Sequence, residues 1–297
     1  MAPVRAGGCV RVSRRQEIRQ RRTSLGEIRG IVNSMKTLAY LETRKLARLI
    51  PPQQSVMRHI ERVAADFLAF HPQLMPAGDA GPAIGVVVGS ERGFCGDFNR
   101  SLVEQMDGAG AARLPRDARL VLVGRRLHPL LEDSPRVAAR LGGASVAEEI
   151  AEVLSRIVAE VAALRREGGP VTLYGLCHGF DSDAPAVLHL LPPFRRLPAP
   201  PVTLRLPPVL NVPPEAFLME LGDQYQLAAL NAMLYSSLMA ENHSRVSHLE
   251  RAADHLEEQW REFGRLSNAM RQEEIIEEIE VILLSVASAG PGSRRSA

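Results

Sequence analysis

Lysine is almost absent from this chain: among 297 residues it occurs only at Lys36 and Lys45, and arginine supplies nearly all of the 36 basic side chains. Neither lysine stands near a glycine-rich loop, so the phosphate-binding arrangement in which a lysine follows such a loop is excluded. The bias toward arginine is attributed to a GC-rich genome rather than to function. Cysteine is scarce as well. Cys9, Cys95 and Cys177 are too few and too scattered for a disulfide framework or a zinc site, which points to a reducing compartment. An excess of charge is lacking too. Against 36 basic residues stand 34 acidic ones, a net charge of +2, so the basic surplus of a dedicated nucleic-acid binder is missing. No apolar run approaches the roughly 20 residues that cross a bilayer, and no direct membrane insertion is expected. The opening "MAPVRAGGCVRVSRRQ" has no secretory apolar core and reads as a short disordered start over residues 1–13.

Constellations for chemistry are missing in the same way. His248 and His255 share a helix face but stand seven residues apart, the wrong spacing for a metal pair, and no third ligand is placed. No metal and no cofactor are expected. Cys95 and His178 have no visible partner that would make either a nucleophile or a base, and Glu148 with Glu149 reads as a solvated helix face.

What is present is periodicity. From Leu218, steps of three and four residues reach Leu221, Tyr225, Ala228, Ala232, Tyr235, Met239, Asn242, Val246, Leu249, Ala253, Leu256, Trp260, Phe263, Ser267 and Met270, with only Asn242 and Ser267 polar. A 3.5-residue repeat held this long implies a helix committed to a coiled coil. Ile276, Ile279, Leu283 and Val286 carry the stripe on after a phase slip. Pro213 and Pro214 suit the first turn, and Gly290 with Pro291 ends the run, giving a helix over 213–289 and a tail over 290–297. About 75 residues at about 1.5 Å each make a rod of roughly 110 Å. A partner is offered by the N-terminal segment 14–75, where Ile18, Leu25, Ile28, Val32, Met35 and Ala39 keep the same spacing. Pro51 and Pro52 are expected to kink or break that helix.

Between about 80 and 210 the texture changes. "AIGVVVGS", "RLVLVGRR" and "VTLYGLCH" read as buried strands, with helices over 99–112 and 146–167 between them. That alternation predicts a small, mainly parallel α/β domain of Rossmann-like type between the two long helices. A proline-rich return follows, with "VTLRL" as a possible edge strand.

Within this domain "VVVGSERGFCGDFNRSL" reads as strand, glycine loop and helix, a common seat for nucleotides. Its spacing is neither GxGxxG nor GxxxxGK[ST]. The charges give a last expectation. Arg14, Arg15, Arg19, Arg21 and Arg22 crowd the opening helix, and Glu273, Glu274, Glu277, Glu278 and Glu280 crowd the end of the closing one. Antiparallel pairing would set these clusters side by side, with Ile18 opposite about Leu283 and Leu25 opposite about Ile276.

Three blocks, in order along the chain, resemble one family, the gamma subunit or central rotor shaft of the F-type ATP synthase. "IRQRRTSLGEIRGIVNSMKTLAYLETRKL" is similar to its N-terminal helix, "SERGFCGDFNRSL" to its central SDRGLCGGLN-type loop, and "NAMRQEEIIEEIEVILLSVASA" to its NKARQAxITxEIxEI ending. The resemblance implies a non-catalytic rotor that turns inside a ring of alpha and beta subunits and couples ion flow to ATP synthesis or hydrolysis. It also implies an epsilon subunit and a membrane c-ring as further partners, and a peripheral place at the cytoplasmic face of a bacterial inner membrane.

Carried over residue by residue, Met35, Arg271, Gln272 and Glu278 become the contacts to the beta subunits. Arg92, Gly93, Cys95, Gly96 and Asn99 become the family's loop, which binds no nucleotide and whose glycines serve a tight passage with positive φ. Departures mark a divergent branch: Asn33 replaces the usual lysine, Asp97 a glycine, Glu273 an alanine and Ile276 a threonine, and Gly26 and Gly30 interrupt a shaft helix. Two other readings stand beside it, a nucleotide-binding enzyme using residues 89–96 and a coiled-coil adaptor unrelated to any ATPase.

Overall fold

The computed structural model describes residues 7–75, 78, 81–107, 114–168, 171–179, 184–195 and 207–288. Its elements are α1 (Gly7–Phe70), β1 (Ala83–Val88), α2 (Phe98–Asp107), β2 (Arg119–Val123), β3 (Val137–Leu141), α3 (Ile150–Gly168), β4 (Thr172–His178), β5 (Pro185–Leu191) and α4 (Pro214–Ser288). They form two compact units. One comprises residues 1–36 with 249–297, the other Thr37–His248, so the two long helices each run through both.

The larger unit is built on a five-stranded sheet of order β3-β2-β1-β4-β5. Strands β1 to β4 run parallel, and β5 closes the edge antiparallel to β4. β1 is buried along its whole length, which is why it reads as an unbroken apolar run rather than an alternation. On one face of the sheet α2 covers Val87, Leu120, Leu122 and Leu176. On the other, α3 packs together with Leu46 and Ile50 of α1 and Leu230, Met233, Leu234 and Leu238 of α4. Gly175 of β4 lets α4 come close, since a Cβ there would stand 2.5 Å from Met233 Sδ.

Several expectations need correction. α1 starts at Gly7, inside the stretch read as a disordered start; residues 9–13 hold neither glycine nor proline, and each added residue of a formed helix gains a hydrogen bond. It also passes through Pro51 and Pro52 without a break. Both prolines are exposed, as are Ala47 and Arg48, whose carbonyls lose their partners, so water can serve them. Leu46, Ile50 and the hydrogen bond from Asn231 Nδ2 to Gln53 Oε1 (2.8 Å) hold the neighbouring turns in place. β3 and β5 were not expected as strands, and no α-helix separates β2 from β3, only a short 3-10 turn at His128–Leu131. The edge strand expected at 202–206 and the tail lie outside the described residues.

In the smaller unit the two helices pair antiparallel through Val32, Met35, Leu249, Ala252, Ala253 and Leu256. Its register differs from the one expected from charge. Arg22 faces Gly264, Gly26 faces Trp260, and Arg29 is ion-paired with Glu257. Relative to the expected match of Leu25 with Ile276, the helices are offset by about four turns. Arg21 is instead paired with Glu17 on its own helix at 2.7 Å, and the side chains of Arg14 and Arg15 lie outside those described. Exposed charges contribute only about 0–1 kcal/mol per pair, too little to impose the alignment that the two clusters suggest.

The expected seam also changes face along α4. From Leu249 onward it is the face turned to α1, but within the larger unit the most buried positions are Leu230, Met233, Leu234, Ser237, Leu238, Glu241, Asn242 and Arg245, of which only Asn242 lies on the expected seam. There the helix packs on the sheet and the glycine loop as well as on α1 and α3, not on a single facing helix.

Candidate functional site

The strand order reverses at β1, whose neighbours β2 and β4 connect to opposite sides of the sheet. In open α/β sheets ligands bind at the carboxyl ends of strands beside such a reversal. The segment that leaves β1 there is the glycine loop, 89–97. The question of whether it cradles a phosphate is decided by what its amides do.

Two of them, those of Glu91 and Arg92, are already engaged by a carboxylate from α4. Glu241 Oε2 accepts a hydrogen bond from the amide of Glu91 at 3.1 Å, and Oε1 accepts one from that of Arg92 at 3.3 Å. Glu241 is 3% exposed and Arg245, its ion-pair partner one turn later, 5%. Arg245 also donates from Nε to the carbonyl of Gly93 (3.2 Å) and from Nη1 to Asn242 Oδ1 (2.7 Å). Ser244 Oγ donates to the carbonyl of Cys95 at 2.7 Å, and Ser237 Oγ to that of Val88 at 3.3 Å. A buried anion and cation, each with its remaining groups hydrogen-bonded, is the arrangement that can stay charged inside a protein. Burial pushes the Glu241 carboxyl up, opposed by Arg245 and the two amides.

The rest of the loop is fixed from the sheet side. Ser90 donates its amide to Asn99 Oδ1 at 2.9 Å, and Asn99 Nδ2 donates back to Ser90 Oγ at 2.8 Å. Glu91 Oε2 accepts from the amides of Arg125 (3.1 Å) and Gly143 (2.7 Å), tying the loop to the ends of β2 and β3. Cys95 is buried, and burial, with Glu241 nearby, pushes its thiol up to about 11; Cys177 is pushed up to about 12 by burial. Neither is a thiolate at neutral pH. His178 shares a hydrogen bond with the carbonyl of Phe98 at 2.9 Å and one with Ser101 Oγ at 3.1 Å, a structural role. Among the described residues no group of histidine, cysteine, aspartate or glutamate could hold a metal ion.

The backbone carries one correction. Gly96 has a positive φ of 57°, as expected of the loop, but Gly93 is not in that region; Phe94 is, at 64°. A bulky residue there is strained. Its ring is 55% exposed and Arg92 beside it is exposed, so the loop is anchored from beneath and presents these two side chains outward.

The other expected residues lie in the smaller unit. Met35 is half-buried in the seam against α4, whereas Arg271, Gln272 and Glu278 are exposed. Met35 belongs to the cluster of Ala252 and Leu256, and the path along α4 from Ala252 to Arg271 is roughly 30 Å, so the structure does not bring them together. Around the terminal residues Ile275, Ile276, Ile279, Val281, Ile282, Leu283 and Leu284 are 45–70% exposed. Sequence reasoning missed Glu241 and Arg245. Their signal was a polar line at Ser237, Glu241 and Arg245, four residues apart and beside the apolar stripe.

Comparison with known proteins agrees with this architecture. The family model described as ATP synthase matches residues 14–289. The ATP synthase gamma chain of Pseudarthrobacter chlorophenolicus is 25% identical over 280 residues, covering 89% of this chain and 95% of that protein. The gamma chain of an Arthrobacter species, strain FB24, is 22% identical over 89% of this chain and 94% of its own length. A chain of the Euglena gracilis mitochondrial ATP synthase, in a structure of OSCP, F1 and c-ring, superposes with a TM-score of 0.57 at 14% identity, covering 96% of this chain and 99% of that one. One from the rotor of the same enzyme gives 0.53 at 13% identity, over 89% and 99%. At these identities the structural likeness speaks for the fold.

Proposed function

The chain belongs to the ATP synthase family, among relatives that are gamma chains, and from that membership we propose that it is the rotor subunit of an F-type ATP synthase, without catalytic chemistry of its own. The observation that carries this reading is the last stretch of α4. Seven large apolar residues from Ile275 to Leu284 stand exposed around Arg271, Gln272 and Glu278, a surface that needs cover in water. A ring of alpha and beta subunits enclosing the helix supplies that cover.

Rotation acts by presenting different faces to successive sites. Turning one site from 1:99 to 99:1 takes about 5.5 kcal/mol of differential interaction, so the contacts must differ strongly with orientation. Met35, Arg271, Gln272 and Glu278 are the contacts to the beta subunits. Arg92, Gly93, Cys95, Gly96 and Asn99 form the loop that α4 holds, so torque passes between the α/β unit and the helix through buried bonds. The α/β unit joins the epsilon subunit and the membrane c-ring. The place of work is the cytoplasmic face of a bacterial inner membrane, and among the described residues no helix is long and apolar enough to cross a membrane.

The nucleotide-enzyme reading loses two donors, because Glu241 occupies the amides of Glu91 and Arg92. Affinity purification of the tagged chain from its own cells tests the proposal. Alpha and beta subunits are expected to co-elute with ATPase activity, while the pure chain shows none. Recovery without ATPase subunits would favour the adaptor, and turnover by the pure chain would refute the rotor.

A further inference from the structure

The one tryptophan of the chain rests on a glycine of the facing helix. At Gly26 a Cβ would stand 3.6 Å from Trp260 Nε1, ordinary contact, and nothing else lies nearer. Two guanidinium groups lie over the indole, Arg22 at 4.3 Å and Arg29 at 4.9 Å from the ring centroid. Glu257, one turn before Trp260, holds Arg29 and also takes Arg261 at 2.9 Å. Arg22 Nε is buried and has no hydrogen-bond partner among the described residues, so the face of the ring is the main attraction offered to that cation.

This cluster does what an aliphatic seam cannot. Valine, leucine and alanine knobs find similar holes after a slide of one heptad, so they specify register weakly. Here such a slide would bring Trp260 against Arg19 or Asn33 instead of a glycine. A slide of four residues would set the ring on Gly30, which has open space around it, but would face Arg29 with Arg261 in place of Glu257. Size excludes the first error and like charge the second.

We propose that Trp260, seated on Gly26 between Arg22 and Arg29, is a positioning residue that locks the register of α1 against α4. The lock fixes where the terminal segment with Arg271, Gln272 and Glu278 stands. The inference deepens the rotor reading and rests on it only for its consequence in the assembled enzyme.

The lock is tested on the full chain with Cys9→Ser and spin labels on Ser24→Cys and Glu262→Cys, a facing pair. The parent, Trp260→Phe and Gly26→Ala should each give one narrow distance. Trp260→Ala should add a second population whose helices are offset by about 10 Å, one heptad, and Gly26→Leu, which fills the seat of the ring, should add a population shifted from the parental register. A single parental distance in both of these variants overturns the proposal. In the assembled complex Trp260→Ala should lower ions pumped per ATP hydrolysed several-fold, with Trp260→Phe restoring it. A shifted register with unchanged pumping overturns the positioning role, as does lost pumping with an unshifted register. A parental chain that joins no ATPase subunits refutes the rotor reading and leaves the distance result standing.

Discussion

Glu241 accepts a hydrogen bond from the amide of Glu91, 150 positions earlier in the chain, at 3.1 Å. This contact lets a helix act on a loop that would otherwise be free to receive an anion. Removing the carboxylate leaves Arg245 buried without its counter-charge and two amides without an acceptor. Glu241→Ala is therefore expected to cost about 3–5 kcal/mol. Adding Arg245→Met to it should recover much of the loss. Hydrogen exchange of the amides of residues 91–95 reports the result; protection unchanged in Glu241→Ala would show that the sheet side alone holds the loop.

The thiols offer a chemical test. With pKa values of about 11 and about 12, Cys95 and Cys177 present less than about one thiolate per thousand at pH 7.5. In a Cys9→Ser chain, a disulfide reagent should find no fast-reacting thiol in the native protein and two after denaturation. A rapid native reaction would mean that the loop opens readily.

How much of this was legible depended on whether a residue's neighbours are local. β1 shows its burial in "AIGVVV" because both faces of a central strand are covered. β3 and β5 stayed hidden because they are edge strands, half-buried and exposed by turns along most of their length, so neither shows the fully buried run of β1. The coiled coil was readable as a repeat, yet its register was not. The charge clusters suggested one alignment, while the volumes of Trp260 and Gly26 impose another, and volume complementarity between distant segments has no periodic signature. Glu241 and Arg245 stand four residues apart, the spacing of an ordinary solvated helical pair. Only the loop arriving from β1 makes them interior. The terminal residues Arg271, Gln272 and Glu278 came from resemblance alone.

Two glycines should respond to alanine in opposite directions. Gly124 has φ 102°, and a Cβ there would lie 2.5 Å from the carbonyl oxygen of Gly89, a backbone atom that cannot turn aside. Gly124→Ala should destabilise by at least about 1–3 kcal/mol. Gly30 lies in α1 with nothing within 4 Å of a Cβ, so Gly30→Ala should gain up to about 1 kcal/mol of helix propensity. Thermal unfolding of the two variants checks the signs, and a loss at Gly30 would point to a contact made in solution.

Arg271→Ala combined with Gln272→Ala tests the terminal contacts. Both side chains are exposed, so each should change stability by no more than about 0.5 kcal/mol. Coupled ATP turnover of the assembled complex should nevertheless fall. Unchanged coupled turnover would remove these two residues from the coupling surface.

Acid should loosen the coiled-coil unit through Glu257. Partial desolvation works against its ionisation, but the hydrogen bond and charge of Arg29, with Arg261 on the other oxygen, outweigh it and hold the carboxyl below the ordinary range. A carboxyl whose folded pKa is depressed adds stability above its unfolded value of about 4.5, and that contribution disappears as pH falls through the lower folded value. The window thus opens below about pH 4.5. Arg29 lies over Trp260, so protonating Glu257 frees a guanidinium that also touches the only indole. Tryptophan emission followed from pH 6 to pH 3 should show a transition in the parent chain that is reduced in Glu257→Gln, whose side chain cannot titrate. Other carboxylates titrate in the same range, so the difference between the two curves is the measured quantity. Superimposable curves would mean that Glu257 does not hold Arg29 over the ring, and that the ring alone retains it.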